Sequence, residues 1–360
     1  MVFSTRSSTT VAYIVVLEVG VTSVRTFLFD SEARQVEGFG ARMTRPENAG
    51  PAEVLGWATD CLDDLHRQVE NPKVVGDPMR IAAVACCASS PLAAPPGPEM
   101  AAELRTTWTA FSDATWLPPL SHGAAICLGS GCLTRDRFSL AIGARDAVRA
   151  LIQSSKPGEG VTQPMPEGVE CSPVDEKRVL MEASLGGSAE LVDWLRRTVN
   201  LPRGVEARLD QAIPGAHGLT VLPFIENRGA ISGLRLATEP FDLLWAALDS
   251  IALRCREACN ALGNLLGPAR EVIACGSALL NSAASTQMMA DALGRPVTIC
   301  TEPEPAARGV ALWALETAGM IGAASVLPAS TGAVFQPRPY QQSAYEALAA
   351  RQRALLQDLS

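Results

Sequence analysis

The residue types that could do chemistry fall in four short stretches of this 360-residue chain. The first, Glu18-Val19-Gly20-Val21-Thr22-Ser23-Val24-Arg25, sets a carboxylate and a guanidinium on either side of a glycine turn with two hydroxyls. The second, Ser121-His122-Gly123, holds one of only three histidines. An imidazole with an unperturbed pKa of about 6.5 titrates where a general base must, and the same ring can simply fill space beside Gly123. The third, Gly143-Ala144-Arg145-Asp146, is another glycine turn, in which Arg145 either grips a phosphate or occupies the place of one. Asp146 then pairs with Arg145 or with solvent. The fourth is Gly276-Ser277 with Asn281, at a strand-to-helix turn suited to ribose or adenine contacts. It is equally suited to plain capping of the next helix by Ser277 or Ser282. Gly20 and Gly143 are also what tight hairpins require with or without a ligand. Arg228 and Glu304 either frame a cleft or are surface charges.

The elements that must position these residues follow from periodicity. Residues 12–43 read as a β-meander, with a β-branched run at 12–19 and an alternating run at 24–30. Residues 51–70 carry Val54, Leu55, Ala58, Leu62 and Leu65 on one helical face, and 81–88 is a buried strand. Pro-rich 89–100 is a loop. A second strand-rich block runs from 124 to 149, and 153–177 is a loop with at most a short hairpin. Helices are expected at 186–198, 240–267, 282–294 and 305–319, with strands at 217–225, 271–275 and 295–300. Pro240 opens the strongest helix, whose core stripe is Leu244, Leu248, Ile251 and Cys255. Trp57, Trp194, Trp245 and Trp313 lie in helical patterns and belong to the core. No short-period repeat is present, although both halves open strand–turn–strand before turning helical.

Composition bounds the class. Hydrophobic residues are 48% and charged residues 19%, enough apolar surface for about two domains of roughly 150 residues each. Disorder, collagen and a charged coiled coil are excluded. A net charge of −8 gives no field that would draw the chain to nucleic acid or to an anionic membrane. The ten cysteines include no C-x-x-C pair and read as small buried hydrophobes in a reduced, cytoplasmic setting, without a structural metal. The apolar run Val11–Leu17 ends at Glu18 without a cleavage pattern, so no signal peptide is expected. The uncharged stretch 318–335 contains Pro328 and three glycines, too weak for a membrane span, and reads as a helix end and loop.

Four motifs in order resemble the FGGY carbohydrate kinases, and among them the gluconokinase-like branch. The family's D-x-G-T-x-S-x-R matches Glu18–Arg25. Its W-x-P-x-x-G-D-G-A…G-S-G-C…G-T-S-G-A-x-R looks like WLPPLSHGAAICLGSGCLTRDRFSLAIGARDAVR at 116–149. GLTVLPFIENRG at 218–229 resembles G-L-x-x-L-P-F-x-x-G-E-R, and residues 274–319 resemble G-G-x-x-x-x-S…A-D-x-L-G-x-P-V…E…R-G-A-A. The resemblance covers most of 12–320. It implies an α/β, two-domain actin-like ATPase (ribonuclease H-like) fold with a cleft between the domains. The implied domains are 12–122, with a shortened sugar-binding region, and 123–323 on the nucleotide side, followed by a loop and C-terminal helix at 324–360.

The implied function is ATP-dependent phosphorylation of a sugar or sugar acid such as gluconate, with ATP and Mg²⁺ as cofactors. By residue-wise match, Glu18 stands at the metal-holding aspartate and His122 at the general-base aspartate. Gly20, Thr22, Ser23, Arg25, Gly143, Gly276, Ser277 and Asn281 fall on the nucleotide-binding motifs. The implied partner is the sugar substrate, with no nucleic acid and no membrane, and the family allows a homodimer. The chain departs from the pattern where phosphate would be met: Val21 replaces a threonine, Ala144 and Arg145 replace two hydroxyls, and Cys275 replaces a glycine. The stretch between 88 and Trp116 is cut to a Pro-rich loop plus AAELR. Packing positions are kept while phosphate-facing positions are not, so weak turnover competes with an inactive scaffold kept for nucleotide binding, regulation or partner contact. An unrelated actin-like ATPase is a third reading, against which the LGSGC and ENRG stretches speak.

Overall fold

A strand–turn–strand start is the first expectation met. In the computed structural model, β1 (Ala12–Val19), β2 (Ser23–Phe29) and β3 (Gln35–Thr44) form an antiparallel meander. The β2–β3 turn is closed by Asp30, whose Oδ1 accepts from the backbone N–H of Glu32 and of Arg34, both at 2.9 Å. The structure describes residues 12–20, 22–44, 49–71, 73, 79–88, 107–143, 146–154, 164–186, 188–225, 228–276 and 281–359. Val21, the loop 89–100, Ala144, Arg145 and Ser277 therefore lie outside the described residues.

The chain forms two units. The first is Met1–Gly131 with Glu302–Ala329, and the second is Cys132–Thr301 with Ser330–Ser360. In the first unit, α1 (Pro51–Val69) follows the meander and buries Val54, Ala58, Cys61, Leu62, Leu65 and Val69. These pack on Val15, Leu17, Val19 and Leu28, one face of the sheet. Each fully buried leucine contributes about 1.5–3 kcal/mol. β4 (Arg80–Ala88) then runs parallel to β1, and the short β5 (Thr115–Trp116) and β6 (Leu120–Ser121) pair parallel with β4.

The block expected to be strand-rich from 124 to 149 opens instead inside a helix, α2 (His122–Gly129). Ser121 is its N-cap, accepting from Ala124 N–H at 3.3 Å. A short buried run has no solvent face, so periodicity cannot separate helix from strand, and here the cap decides.

The second unit opens with the hairpin β7 (Arg137–Ala141) and β8 (Ala147–Gln153). β9 (Val169–Pro173) and β10 (Arg178–Ser184) supply the short hairpin and extend the same sheet. Next come α3 (Ser188–Thr198), α4 (Val205–Asp210), and the separate pair β11 (Thr220–Ile225) and β12 (Arg228–Ser232). α5 (Pro240–Leu266) is the long helix, with Leu244, Ile251 and Cys255 buried and Leu248 half-buried. β13 (Glu271–Cys275), α6 (Ala283–Leu293) and β14 (Val297–Cys300) follow. After α7 (Pro305–Thr317), which belongs to the first unit, β15 (Thr331–Phe335) and α8 (Gln342–Leu359) close the chain. β15 lies in a stretch expected to be loop. It pairs antiparallel with β14 and edges the sheet β15-β14-β13-β7-β8-β10-β9.

The two large sheets share one plan. In each, the first strand has an antiparallel hairpin partner on one side and a parallel strand on the other: β2 and β4 flank β1, and β8 and β13 flank β7. The division into units differs from the expected 12–122, 123–323 and 324–360, because α2 and α7 pack together in the first unit. A Cβ added at Gly129 would stand 1.7 Å from Pro305 O, and one at Gly309 would stand 1.8 Å from Ala125 O. The two backbones are in contact, which only glycine permits.

Nine of the ten cysteines are buried and Cys171 is half-buried, and burial pushes the Cys86 thiol up to about 12. Trp313 is buried, Trp57 and Trp245 are half-buried, and Trp194 departs from the core expectation at 36% exposure. Among the described residues no helix is long and apolar enough to cross a membrane.

Candidate functional site

In the first unit, the sheet gathers Glu18, Arg25, His122 and Glu304. Glu18 and Arg25 are direct cross-strand partners in β1 and β2, so their side chains leave the same face. That face is opposite the one on which Leu17 and Val19 meet α1, because side chains alternate along a strand. α7 packs on β1 and β4 with its first residue, Pro305, against Gly129 at the end of α2, while the start of α2 is placed by Ser121, which pairs with Ala88 beside Val19 at the end of β1. His122 is the first residue of α2 and Glu304 the N-cap residue of α7.

Arg25 bridges two carboxylates. Its Nη2 donates to Glu18 Oε2 at 2.9 Å and its Nη1 donates to Glu304 Oε1 at 2.5 Å. On the other side of Glu18, His122 Nε2 lies 3.8 Å from Oε1. Glu18 is 6% exposed. Burial raises its carboxyl above the ordinary value, with Arg25 working against the rise and Glu304 adding to it. For Arg25 burial works against the charge, but Glu18 and Glu304 outweigh it and the guanidinium is held more firmly protonated than usual. Beneath the cluster, Arg308 staples α7 by donating to Gly129 O, Leu327 O and Pro328 O at 3.0–3.1 Å.

The turn between β1 and β2 is closed by Gly20 N–H donating to Ser23 O at 2.8 Å. Ser23 is buried and Thr22 is exposed. The Gly20 amide, expected to approach a phosphate, is thus used by its own hairpin.

The second unit repeats that arrangement at Gly143, whose N–H donates to Asp146 Oδ1 at 2.5 Å. This gives Asp146 a partner that the sequence did not suggest. Gly143 and Gly276 are neighbours, since Ala141 pairs with Cys275 where β7 and β13 end. Gly276 has φ +89° and a Cβ there would lie 2.7 Å from Ile142 O, so the position needs glycine on two counts.

Asn281 is exposed, just before α6. Of the two serines weighed as caps, Ser282 is seen to cap α6, accepting from Ser285 N–H at 3.0 Å. Glu206 of α4, which the sequence did not single out, adds to the cap. Its Oε1 accepts from Ala284 N–H at 2.7 Å, and its Oε2 from Ser282 Oγ at 2.9 Å.

The structure therefore brings Glu18, Gly20, Ser23, Arg25 and His122 together in one unit, and Gly143 and Gly276 together in the other. Glu304 is the residue that sequence reasoning left open between a site role and the surface. Its only local signal is its place before Pro305, at the start of an amphipathic run.

The expected Mg²⁺ ligand, Glu18, does not fit that ion as it stands. Mg²⁺ demands near-octahedral oxygen ligands at about 2.0–2.1 Å. Here one Glu18 oxygen is hydrogen-bonded to a guanidinium and the other faces an imidazole. Among the described residues no group of three or more His, Cys, Asp or Glu is placed to hold a metal ion.

Residues 147–318 match the C-terminal domain of the FGGY family of carbohydrate kinases. A glycerol kinase of Alkalilimnicola ehrlichii is 30% identical over 189 residues, 49% of this chain and 38% of that protein. A glycerol kinase of Lactobacillus delbrueckii subsp. bulgaricus is 27% identical over 51% of this chain and 39% of its own length. The chain thus spans about two-fifths of these relatives. Among solved structures, a xylulose kinase from Lactobacillus acidophilus superposes with a TM-score of 0.78 at 14% identity, covering 97% of this chain and 98% of its own. A gluconate kinase from the same organism gives 0.76 at 14% identity and the same coverages. The fold is the two-domain α/β actin-like ATPase fold.

Proposed function

We propose that this chain, whose residues 147–318 match an FGGY carbohydrate-kinase C-terminal domain, is a sugar-kinase scaffold that binds ATP and transfers phosphate to a sugar or sugar acid only weakly. One observation carries the reading: the groups on the phosphate-facing motifs are engaged within their own units. Gly20 N–H serves Ser23, Gly143 N–H serves Asp146, and the Glu18 carboxylate serves Arg25. Phosphoryl transfer depends on preorganised donors and charges rather than on covalent chemistry. A lost oxyanion-type donor costs about 3 kcal/mol, or roughly 10² in rate, and here several are diverted at once.

Within this reading Gly20, Thr22, Ser23, Gly143, Gly276, Ser277 and Asn281 border the nucleotide, Mg²⁺ arrives with ATP, and His122 stands at the base position. His122 faces Glu18 and fills the place of a shorter acid. The competing reading, a turnover-free protein that keeps the fold for nucleotide binding or partner contact, is favoured by the Arg25 bridge.

Titration calorimetry with ATP, together with ADP release measured over gluconate, xylulose and glycerol, tests both readings. Nucleotide binding with weak release on one substrate is the expected result, and binding without release selects the competing reading. No binding of ATP or ADP removes the kinase reading and leaves only a scaffold kept for partner contact, and robust turnover shows that His122 and the neighbouring hydroxyls sustain full activity.

A further inference from the structure

We infer that the Arg25 guanidinium is the resident cation of the Glu18–Glu304 carboxylate pair, and that this pair takes no divalent metal ion while Arg25 is present. Each carboxylate receives its own guanidinium nitrogen, at 2.9 and 2.5 Å, so Arg25 spans the gap that a bridging metal would fill. Strand register and helix packing hold it there. Glu18 and Arg25 are cross-strand partners, and Glu304 is carried in by the glycine contact of α7 with α2.

The local charge is already balanced. Two carboxylates face one guanidinium, and the starts of α2 and α7 each add roughly half a positive charge, which leaves the cluster near neutrality. A dication entering there would meet Arg25 as a like charge and would have to break two charge-assisted hydrogen bonds. An arginine cannot yield by losing its proton, because the guanidinium stays charged at any working pH. Burial tightens the arrangement, since side-chain exposure is 20% for Arg25, 7% for Glu18 and 30% for Glu304.

If the chain binds ATP, any Mg²⁺ is then carried by the phosphates and not by Glu18. That consequence rests on the proposed function, whereas the ion-pair assignment does not. The test accordingly uses metal alone. Mn²⁺ is titrated into the full chain and free Mn²⁺ is followed by electron paramagnetic resonance, for the wild type and for Arg25→Met, Arg25→Met/Glu304→Gln and Glu18→Gln. Circular dichroism confirms that each variant is folded.

The wild type should retain no Mn²⁺ up to about 1 mM, the weak end of carboxylate-based cation sites. Arg25→Met should gain one site with an affinity at least about tenfold tighter, because ligand charge tunes such sites over decades. Adding Glu304→Gln should abolish it. A stoichiometric site in the wild type that Glu18→Gln removes would overturn the inference. So would a folded Arg25→Met protein that stays metal-free. Should Arg25→Met not fold, the wild-type and Glu18→Gln titrations still decide the point. A chain that fails to bind ATP would sink the proposed function and leave these outcomes standing.

Discussion

Gly129→Ala is the substitution whose effect the structure determines most sharply. The new methyl would sit 1.7 Å from Pro305 O, 2.6 Å from Pro305 C and 2.9 Å from Gly309 N, all of them backbone atoms. To reach ordinary contact at 3.4 Å the carbonyl must retreat by about 1.7 Å, which is the difference between the two distances. No rotamer can yield, so α7 must move away from α2 along their crossing. Overpacking a core costs about 1–3 kcal/mol when side chains can adjust. With backbone as the obstacle we take about 4 kcal/mol, the exceptional end for a point change. For a unit of this size, that lowers the melting temperature by roughly 8–16 °C.

Gly56→Ala is the matched control. Gly56 lies inside α1 on its exposed face, with nothing within 4 Å of the place a Cβ would take and an ordinary helical φ, so the same change should stabilise by about 0.5–1 kcal/mol. Differential scanning calorimetry of the full chain, with circular dichroism beside it, reads both. A Gly129→Ala protein melting within about 2 °C of the wild type would refute the backbone contact and, with it, the way Glu304 is held beside Arg25.

Arg338→Ala should destabilise the second unit by about 3 kcal/mol in urea unfolding, because Asp291, 1% exposed, loses both guanidinium bonds of 2.7–2.8 Å. Arg338→Lys should recover only part of that, since an ammonium cannot make the two-pronged contact. Glu18 predicts a pH effect. Its folded pKa is raised, so its contribution is fully present below the unfolded value of 4.5 and is lost as pH rises through the folded value. The melting-temperature advantage of the wild type over Glu18→Gln should therefore shrink from about pH 4 to about pH 7, and an advantage that grows over that range would contradict the assignment. His122→Asp should not raise ADP release above the weak wild-type rate, because the Gly20 and Gly143 amides remain engaged by Ser23 and Asp146. A single-change gain of turnover would show those amides to be free for phosphate.

Much of this molecule was legible in its residues alone. The meander of β1, β2 and β3, the helices at Pro51–Val69 and Pro240–Leu266, and the strand ending at Cys275 lie within a few residues of their expected places. Their signals are local: β-branched runs, a 3.6-residue apolar stripe, a proline at a helix start. Register made even part of the site readable, because Glu18 and Arg25 face each other across one tight turn.

What the tertiary structure alone decided depends on residues far apart in sequence. Glu304 meets Arg25 across 279 positions, and no local pattern distinguishes that carboxylate from a surface charge. The helical state of 122–129 was hidden because a short run buried on all sides shows neither period. Gly129 and Gly56 look alike in sequence, yet one lies against another backbone and the other against solvent. Periodicity tells a residue which way to face, but what it meets there is set by how the elements pack.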